Sequence, residues 1–347
     1  MAESPPNKGA FLAACRAEPH DRTPVWFMRQ AGRSLPEYRA LRGSGSILEA
    51  ISDPELSADI TLQPVRRYGV DAAILYSDIV VPAHAVGFGV DVKPGVGPVV
   101  DQPFERAADL QRLRPLEPEI DTPYVIETIQ RVTTEADVPV IGFAGAPFTV
   151  ASYLIEGAPS RTYGKTKALM LGDPILWNDL MDRLTNMAIT SLRSQIAAGV
   201  SAVQLFDSWA GALSPPTYER YVLPHSRRVF EEVADTGVPR IHFGVGTGEI
   251  LPLMAVAGAD VVGVDWRIPL DEARRRLGPN TILQGNLDPA VCLGPSKVVE
   301  AEVADVLDRN GGHLGHVFNL GHGVLPETDP AVLEQIVAQV HAYPIGI

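Results

Sequence analysis

Eight short apolar runs recur along the chain, each followed by a longer stretch of mixed character. They are "PVWFM" (24–28), "DAAILYSDIV" (71–80), "VPVIGFAG" (138–145) and "SAVQLFDSW" (201–209). The set continues with "PRIHFGVG" (239–246), "ADVVGVDW" (259–266), "TILQGNLD" (281–288) and "HVFNLGHG" (316–323). Their apolar character is continuous rather than alternating, which suits strands buried on both faces of a parallel sheet. Residues 174–198, 216–236, 295–309 and 330–342 carry apolar positions at helical spacing. Gly199 stops the first of these, and Asn310-Gly311-Gly312 stops the third. Eight strands alternating with helices predict a (β/α)8 TIM-like barrel, a single α/β domain over residues 1–347. The alternative, a doubly wound open sheet, wants a phosphate-binding glycine loop after its first strand, and "MRQAGRS" is not one. A long insertion is expected at about 84–136, with 89–103 forming a hairpin or lid.

Composition supports this picture and narrows the partners. With 46% hydrophobic and 20% charged residues, 347 residues supply material for a large core. A net charge of -13 excludes a global basic field for nucleic acid. A small anion can still be held where a few arginines converge. Cys15 and Cys292 are expected to be reduced, structural thiols, since no zinc-type cysteine spacing is present. The first 25 residues include Glu3, Lys8, Arg16, Glu18 and Asp21, with no apolar segment of signal-peptide type. No apolar run reaches 18 residues. The expectation is a cytoplasmic protein without a membrane partner.

A barrel of this kind carries its chemistry on the C-terminal ends of its strands. Arg29, Gln30 and Arg33 follow the first run; Ser77 and Asp78 end the second; Tyr153 and Glu156 follow the third. Asp207, Ser208 and Trp209 end the fourth, and Asp265, Trp266 and Arg267 the sixth. Gln284, Asn286 and Asp288 end the seventh, and Asn319 and His322 the eighth. Each has a plainer role open to it. The arginines could be solvated, Asp78 and Ser208 could cap helices, and Tyr153 could pack in the core. His322 lies between two glycines, which lets a backbone come close to a ligand. His84, His242, His313 and His316 have no such setting and read as structural or surface residues. "GVGTGE" (244–249) reads as a tight turn before it reads as a phosphate cradle. Guanidinium forks match carboxylates, so the residues point to an anionic small molecule with acid–base groups nearby.

Five blocks carry a resemblance to a known family. "PVWFMRQAGR" and "GFAGAPFTVASYLIEG" (142–157) resemble two signatures of the uroporphyrinogen decarboxylase family. "ILYSDIV", "LFDSWAGALSP" and "NLGHGVLPETDP" are similar to three further blocks, in the family's order. The resemblance runs from about residue 8 to 342. It implies a distorted TIM-like barrel, a homodimer, and cofactor-independent, metal-free removal of the four acetate carboxyls of uroporphyrinogen III. The product would be coproporphyrinogen III, in haem and tetrapyrrole biosynthesis. It also implies that Arg29 and Arg33 engage substrate carboxylates, with Gln30, Ala31 and Gly32 in the same binding loop. Asp78 would accept hydrogen bonds from the pyrrole NH groups, and Tyr153, Ser208 and His322 would complete the contacts. Asp78, Arg29 and Tyr153 are the expected catalytic residues; Arg29, Tyr153 and a water remain open as proton donor. Two rival readings fit the residues less well. Corrinoid-dependent methyltransferases share this barrel but need a His-x-Cys zinc pair, and Gly244 stands where that cysteine would follow His242. A non-catalytic tetrapyrrole carrier would have little use for all five blocks.

Overall fold

A computed structural model describes residues 9–345 except 44 and 94. In chain order the strands are β1 (Ala73–Ile74), β2 (Val90–Lys93), β3 (Gly97–Val100), β4 (Val140–Gly145) and β5 (Ala202–Phe206). They continue as β6 (Arg240–Phe243), β7 (Val261–Gly263), β8 (Ile282–Gln284) and β9 (His316–Val317). Seven of them form one curled sheet in the order β1-β4-β5-β6-β7-β8-β9, with every pairing parallel. All six residues of β4 are buried, so the continuous apolar pattern reports a sheet covered on both faces. β2 and β3 pair antiparallel as a separate hairpin, within 89–103 as expected. The hairpin is tied to the helix Pro147–Glu156 by Val100 N–H donating to the Gly157 carbonyl at 2.8 Å. The rest of 84–136 holds short helical turns and the helix Pro123–Glu135, which returns the chain from β1 to β4.

The first apolar run departs from its expected form. Residues 24–28 make one isolated bridge, Val25 to Phe318, and no regular strand. A few backbone bonds remain, Trp26 N–H to the Phe318 carbonyl, Phe318 N–H to the Pro24 carbonyl and Asp71 N–H to the Val25 carbonyl, and side chains supply the rest of the ladder. Asp71, fully buried, accepts from Val25 N–H at 2.8 Å and from Arg22 Nη2 at 2.8 Å. Asn319 Oδ1 accepts from Met28 N–H at 3.0 Å on the opposite side. Gln30, also fully buried, accepts from Phe27 N–H at 3.0 Å and donates to the Ala72 carbonyl at 3.1 Å. The run therefore lies between β9 and the chain entering β1, with Val25, Trp26 and Phe27 wholly buried.

Two other expectations are corrected. The run 71–80 is regular only at β1, because Ile79 and Val80 turn directly into the helix Val81–Ala85. The helix expected over 216–236 is broken into Pro215–Tyr221, Leu223–Glu231 and a 3-10 turn at Ala234–Thr236. Pro224 lacks an N–H and cannot continue a helix entering from 221, but it is well placed in the first turn of the next one. No helix among the described residues is long and apolar enough to cross a membrane.

Candidate active site

The loops at the C-terminal ends of β1, β4, β5, β7 and β9, with the loop after residue 28, bring the singled-out polar residues to one rim. Arg29 stands in the left-handed conformation at φ 59°, uncommon for a side-chain-bearing residue and costing about 1–2 kcal/mol. The hydrogen bonds on either side hold it there: Gln30 N–H to the Phe27 carbonyl, and Val324 N–H to the Met28 carbonyl. Gly323 makes room for its side chain. A Cβ at 323 would lie 2.4 Å from Arg29 Cδ and 2.7 Å from Cγ. Arg29 and Arg33 are exposed, and neither forms an ion pair among the described residues. An acidic protein thus leaves two guanidinium groups unneutralised on one short loop.

Asp78 faces this loop half-buried. Its Oδ1 accepts from Val80 N–H at 3.0 Å in the turn before the helix Val81–Ala85, whose N-cap is Val80 without a side-chain cap, so Asp78 is not the helix cap it could have been. Burial raises the carboxyl pKa, against the backbone N–H of Val80, the Arg29 charge and the backbone N–H of Ile79, which lower it. Tyr153 lies close enough to feel both charges. Burial, and then the Asp78 charge, push its phenol up to about 12, so it stays protonated at neutral pH. His322 accepts at Nδ1 from Gly323 N–H at 2.6 Å, which puts its ring proton on Nε2. Burial, then Arg29, bring its pKa down to about 4, so it is a neutral donor. Arg29, Asp78, Tyr153 and His322, from four separate segments, therefore form one electrostatic unit.

Ser208 is half-buried and has no hydrogen-bond partner among the described residues. The loop around it is fixed by the fully buried Asp207, whose Oδ1 accepts from Thr149 Oγ1 at 2.9 Å. Thr149 Oγ1 accepts in turn from Trp209 N–H at 3.2 Å. Trp209 packs edge-on to Tyr153 at 5.7 Å between centroids, and Tyr163 lies at 5.6 Å on it. This aromatic wall was only partly visible in the sequence: nothing marks Tyr163, which reaches the wall through a left-handed φ of 54°.

Several expected features resolve differently. The Gln30 side chain and its own N–H are hydrogen-bonded inside the protein, so its first role is to shape the loop. Ala31 and Gly32 are half-buried, and the N–H groups of 31–33 have no partner among the described residues. They are donors available to an anion. Glycine at 32 serves the protein itself, since a Cβ there would lie 2.8 Å from the Arg29 carbonyl oxygen. Glu156 accepts from Thr166 N–H and Oγ1, each at 2.9 Å, and anchors the helix Gly164–Gly172. The turn at 244–249 offers Gly246 N–H to Asp265 Oδ2 at 2.5 Å, so it cradles a carboxylate of the protein's own. Missing from the expected set are Arg39 and Arg42, which share with Arg33, Tyr38 and Pro326 a cavity of about 450 Å³.

Among the described residues no three His, Cys, Asp or Glu side chains converge in a metal-binding group. His242 is buried with Nε2 3.8 Å from Asp207 Oδ2, and both cysteines are buried free thiols.

The chain matches the family model described as uroporphyrinogen decarboxylase (URO-D) over residues 6–343. A Streptomyces coelicolor protein named uroporphyrinogen decarboxylase is 63% identical over 333 residues, spanning 96% of this chain and 94% of its own. A Streptomyces griseus protein of the same name is 62% identical, spanning 96% of this chain and 91% of its own. A solved methyltransferase from Methanosarcina mazei superposes with a TM-score of 0.78 at 23% identity, covering 96% of this chain and 97% of that one. At that identity the likeness concerns the fold alone. Arg29, Asp78, Tyr153, Ser208 and His322 therefore sit on the scaffold of a chain that belongs to the uroporphyrinogen decarboxylase family.

Proposed function

We propose that the chain is a carboxy-lyase that decarboxylates the four acetate side chains of uroporphyrinogen III to methyl groups, giving coproporphyrinogen III in haem and tetrapyrrole biosynthesis. The single observation that carries the mechanism is the placing of the half-buried Asp78 carboxylate, held by Val80 N–H, close to Arg29 and to the neutral Tyr153 and His322. Losing carbon dioxide leaves an electron pair on the substrate. A pyrrole protonated at a ring carbon accepts it: the C–COO⁻ bond breaks, carbon dioxide leaves, and a methylene remains conjugated to the ring. A proton then enters the methylene as the ring carbon gives its own up, so each turnover replaces one carboxylate by one hydrogen. The cationic ring needs a negative partner fixed in advance, and Asp78 provides it, with the pyrrole NH groups donating to its carboxylate. This reading assigns no metal or organic cofactor.

Arg29 and Arg33 hold carboxylates at the rim, with the free N–H groups of 31–33 beside them. An arginine that gripped the reacting carboxylate tightly would stabilise the ground state, so firm contact belongs to the carboxylates that stay. Ser208 and His322 Nε2–H complete the polar contacts, and Trp209 and Tyr163 supply an apolar wall. Arg29, Tyr153 and water remain the groups from which the proton could come.

In this reading residues 24–28 are the eighth stave of a closed TIM-like barrel, hydrogen-bonded to the β9 and β1 sides by backbone and side-chain groups. The protein is taken as one domain, cytoplasmic and homodimeric, as the family resemblance implies. The test is direct: incubate the chain with uroporphyrinogen III under reducing, anaerobic conditions and separate products by carboxylate number. Stepwise loss of four carboxyls is expected, and recovery of unchanged octacarboxylate would overturn the proposal.

A further inference from the structure

Arg267 follows β7 on the same side of the site as His322. Its Nη1 donates to Asp265 Oδ2 at 2.6 Å, and its N–H donates to Asp265 Oδ1 at 3.1 Å. Asp265 is only 2% exposed, so this carboxylate is a rigid anchor. The guanidinium carbon lies 3.9 Å from the centre of the Trp266 ring, and that ring lies 6.4 Å from His322. One edge and one face of the guanidinium are thus fixed. Nε and Nη2 have no partner among the described residues, and the side chain is 51% exposed. A planar cation held this way has lost little freedom still to be lost on binding.

Arg29 and Arg33 stand on one loop and reach one sector of a ligand. A macrocycle with carboxylates around its whole rim presents others to the remote wall. β7 is four strands from β1 in the sheet order, and β1 is the strand that leads to Asp78. We propose, resting on the decarboxylase reading, that Arg267 is a further substrate-binding arginine. It holds a carboxylate that the reaction leaves in place, on the His322 side of the cleft and away from the reacting group.

The experiment compares wild type, Arg267→Gln, Arg267→Lys and a control, Arg275→Gln, which removes the same charge from an exposed helix position paired with Glu272. Steady-state kinetics with uroporphyrinogen III are combined with product inhibition by coproporphyrinogen III and with thermal melting. Arg267→Gln should raise KM about five- to tenfold, the effect of one half-exposed charge-assisted bond. The turnover number should stay within twofold. The melting temperature should fall only modestly: the buried Asp265 loses its ion-pair partner but keeps the Gly246 and Arg267 backbone N–H bonds, and the glutamine amide can still donate to it. The product's inhibition constant should rise by the same factor, because the product keeps the carboxylates in question. Lysine at 267 should recover only part of the loss, since it lacks the stacked fork. A KM no higher than that of Arg275→Gln overturns the inference. So does a raised KM with unchanged product inhibition, which would place Arg267 on a departing carboxylate, or a turnover number that falls in proportion to protein unfolded at the assay temperature with KM unchanged. Should the wild type show no turnover, the decarboxylase reading fails instead, and direct titration of wild type and Arg267→Gln with coproporphyrinogen III still decides the role of Arg267.

Discussion

Replacing Gly323 by alanine tests the site through a residue that has no polar side chain. A methyl group there would sit 2.4, 2.7 and 3.1 Å from Cδ, Cγ and Cβ of Arg29. Carbon atoms in good contact lie about 3.5–4.0 Å apart, so the Arg29 stem has to move by about 1 Å. The contacts fall near the root of the side chain, where a rotation at the tip gives no relief. Overpacking of this kind costs about 1–3 kcal/mol, which a family member of this size survives folded. The catalytic consequence is larger, because a misplacement of about 1 Å can cost about 100-fold. We expect Gly323→Ala to lower kcat/KM by about 10- to 100-fold. Adding Arg29→Ala should then cost little more, since both changes remove the same interaction. An independent readout is the His322 ring followed by NMR. Burial is the first cause of its depressed pKa and Arg29 the second, so displacing Arg29 should raise the value from about 4 without restoring it to 6.5. A kcat/KM within twofold of wild type, with an unmoved His322 titration, would refute the steric reasoning.

Asp78→Asn should lower turnover by at least about 100-fold, as removal of a fixed transition-state charge does, with a much smaller change in KM; near-normal turnover would sink that role. The same variant should melt at a higher temperature at pH 7. The folded pKa of Asp78 is raised, so the stability tied to its protonated form is present below the unfolded value near 3.8 and lost as pH rises through the folded one. The gain in melting temperature should shrink as pH falls toward the carboxylate range, and a gain that grows instead would contradict the sign. Arg33→Ala should weaken coproporphyrinogen binding about tenfold in a fluorescence titration and leave the melting temperature unchanged, because Arg33 has no ion pair among the described residues to lose.

Much of this molecule was legible in its sequence. Continuous Val-, Ile- and Phe-rich runs separated by helix-length segments specify a parallel sheet, and a parallel sheet specifies which ends carry loops of one kind. That is enough to list the polar residues at the strand ends; the resemblance to the family's blocks is what picks Arg29, Asp78, Tyr153, Ser208 and His322 out of that list. Local pattern could not tell which polar residues near a strand end face the ligand and which serve the scaffold. Gln30 sits between Arg29 and Arg33 in the sequence, yet its amide is consumed by Phe27 and Ala72, the latter 42 residues away. Glu156 looks as chemical as Asp78 but is spent on holding a helix, and the fully buried Asp207 gives one oxygen to holding the loop after β5.

The run at 24–28 shows the same limit from the other side. Its apolar residues predict a strand, and backbone bonds do join it to Phe318 and Asp71, but two of its N–H groups go instead to the side chains of Asp71 and Asn319, 46 and 291 residues from their donors. Likewise the glycines at 32 and 323 could be read as room for a ligand, while each makes room for Arg29. Periodicity and residue type determined the architecture and the list of candidates, because burial and helix grammar act over a few residues. Only the tertiary structure decided which members of that list remain free to act, because a polar group is free only when no distant part of the chain has already claimed it.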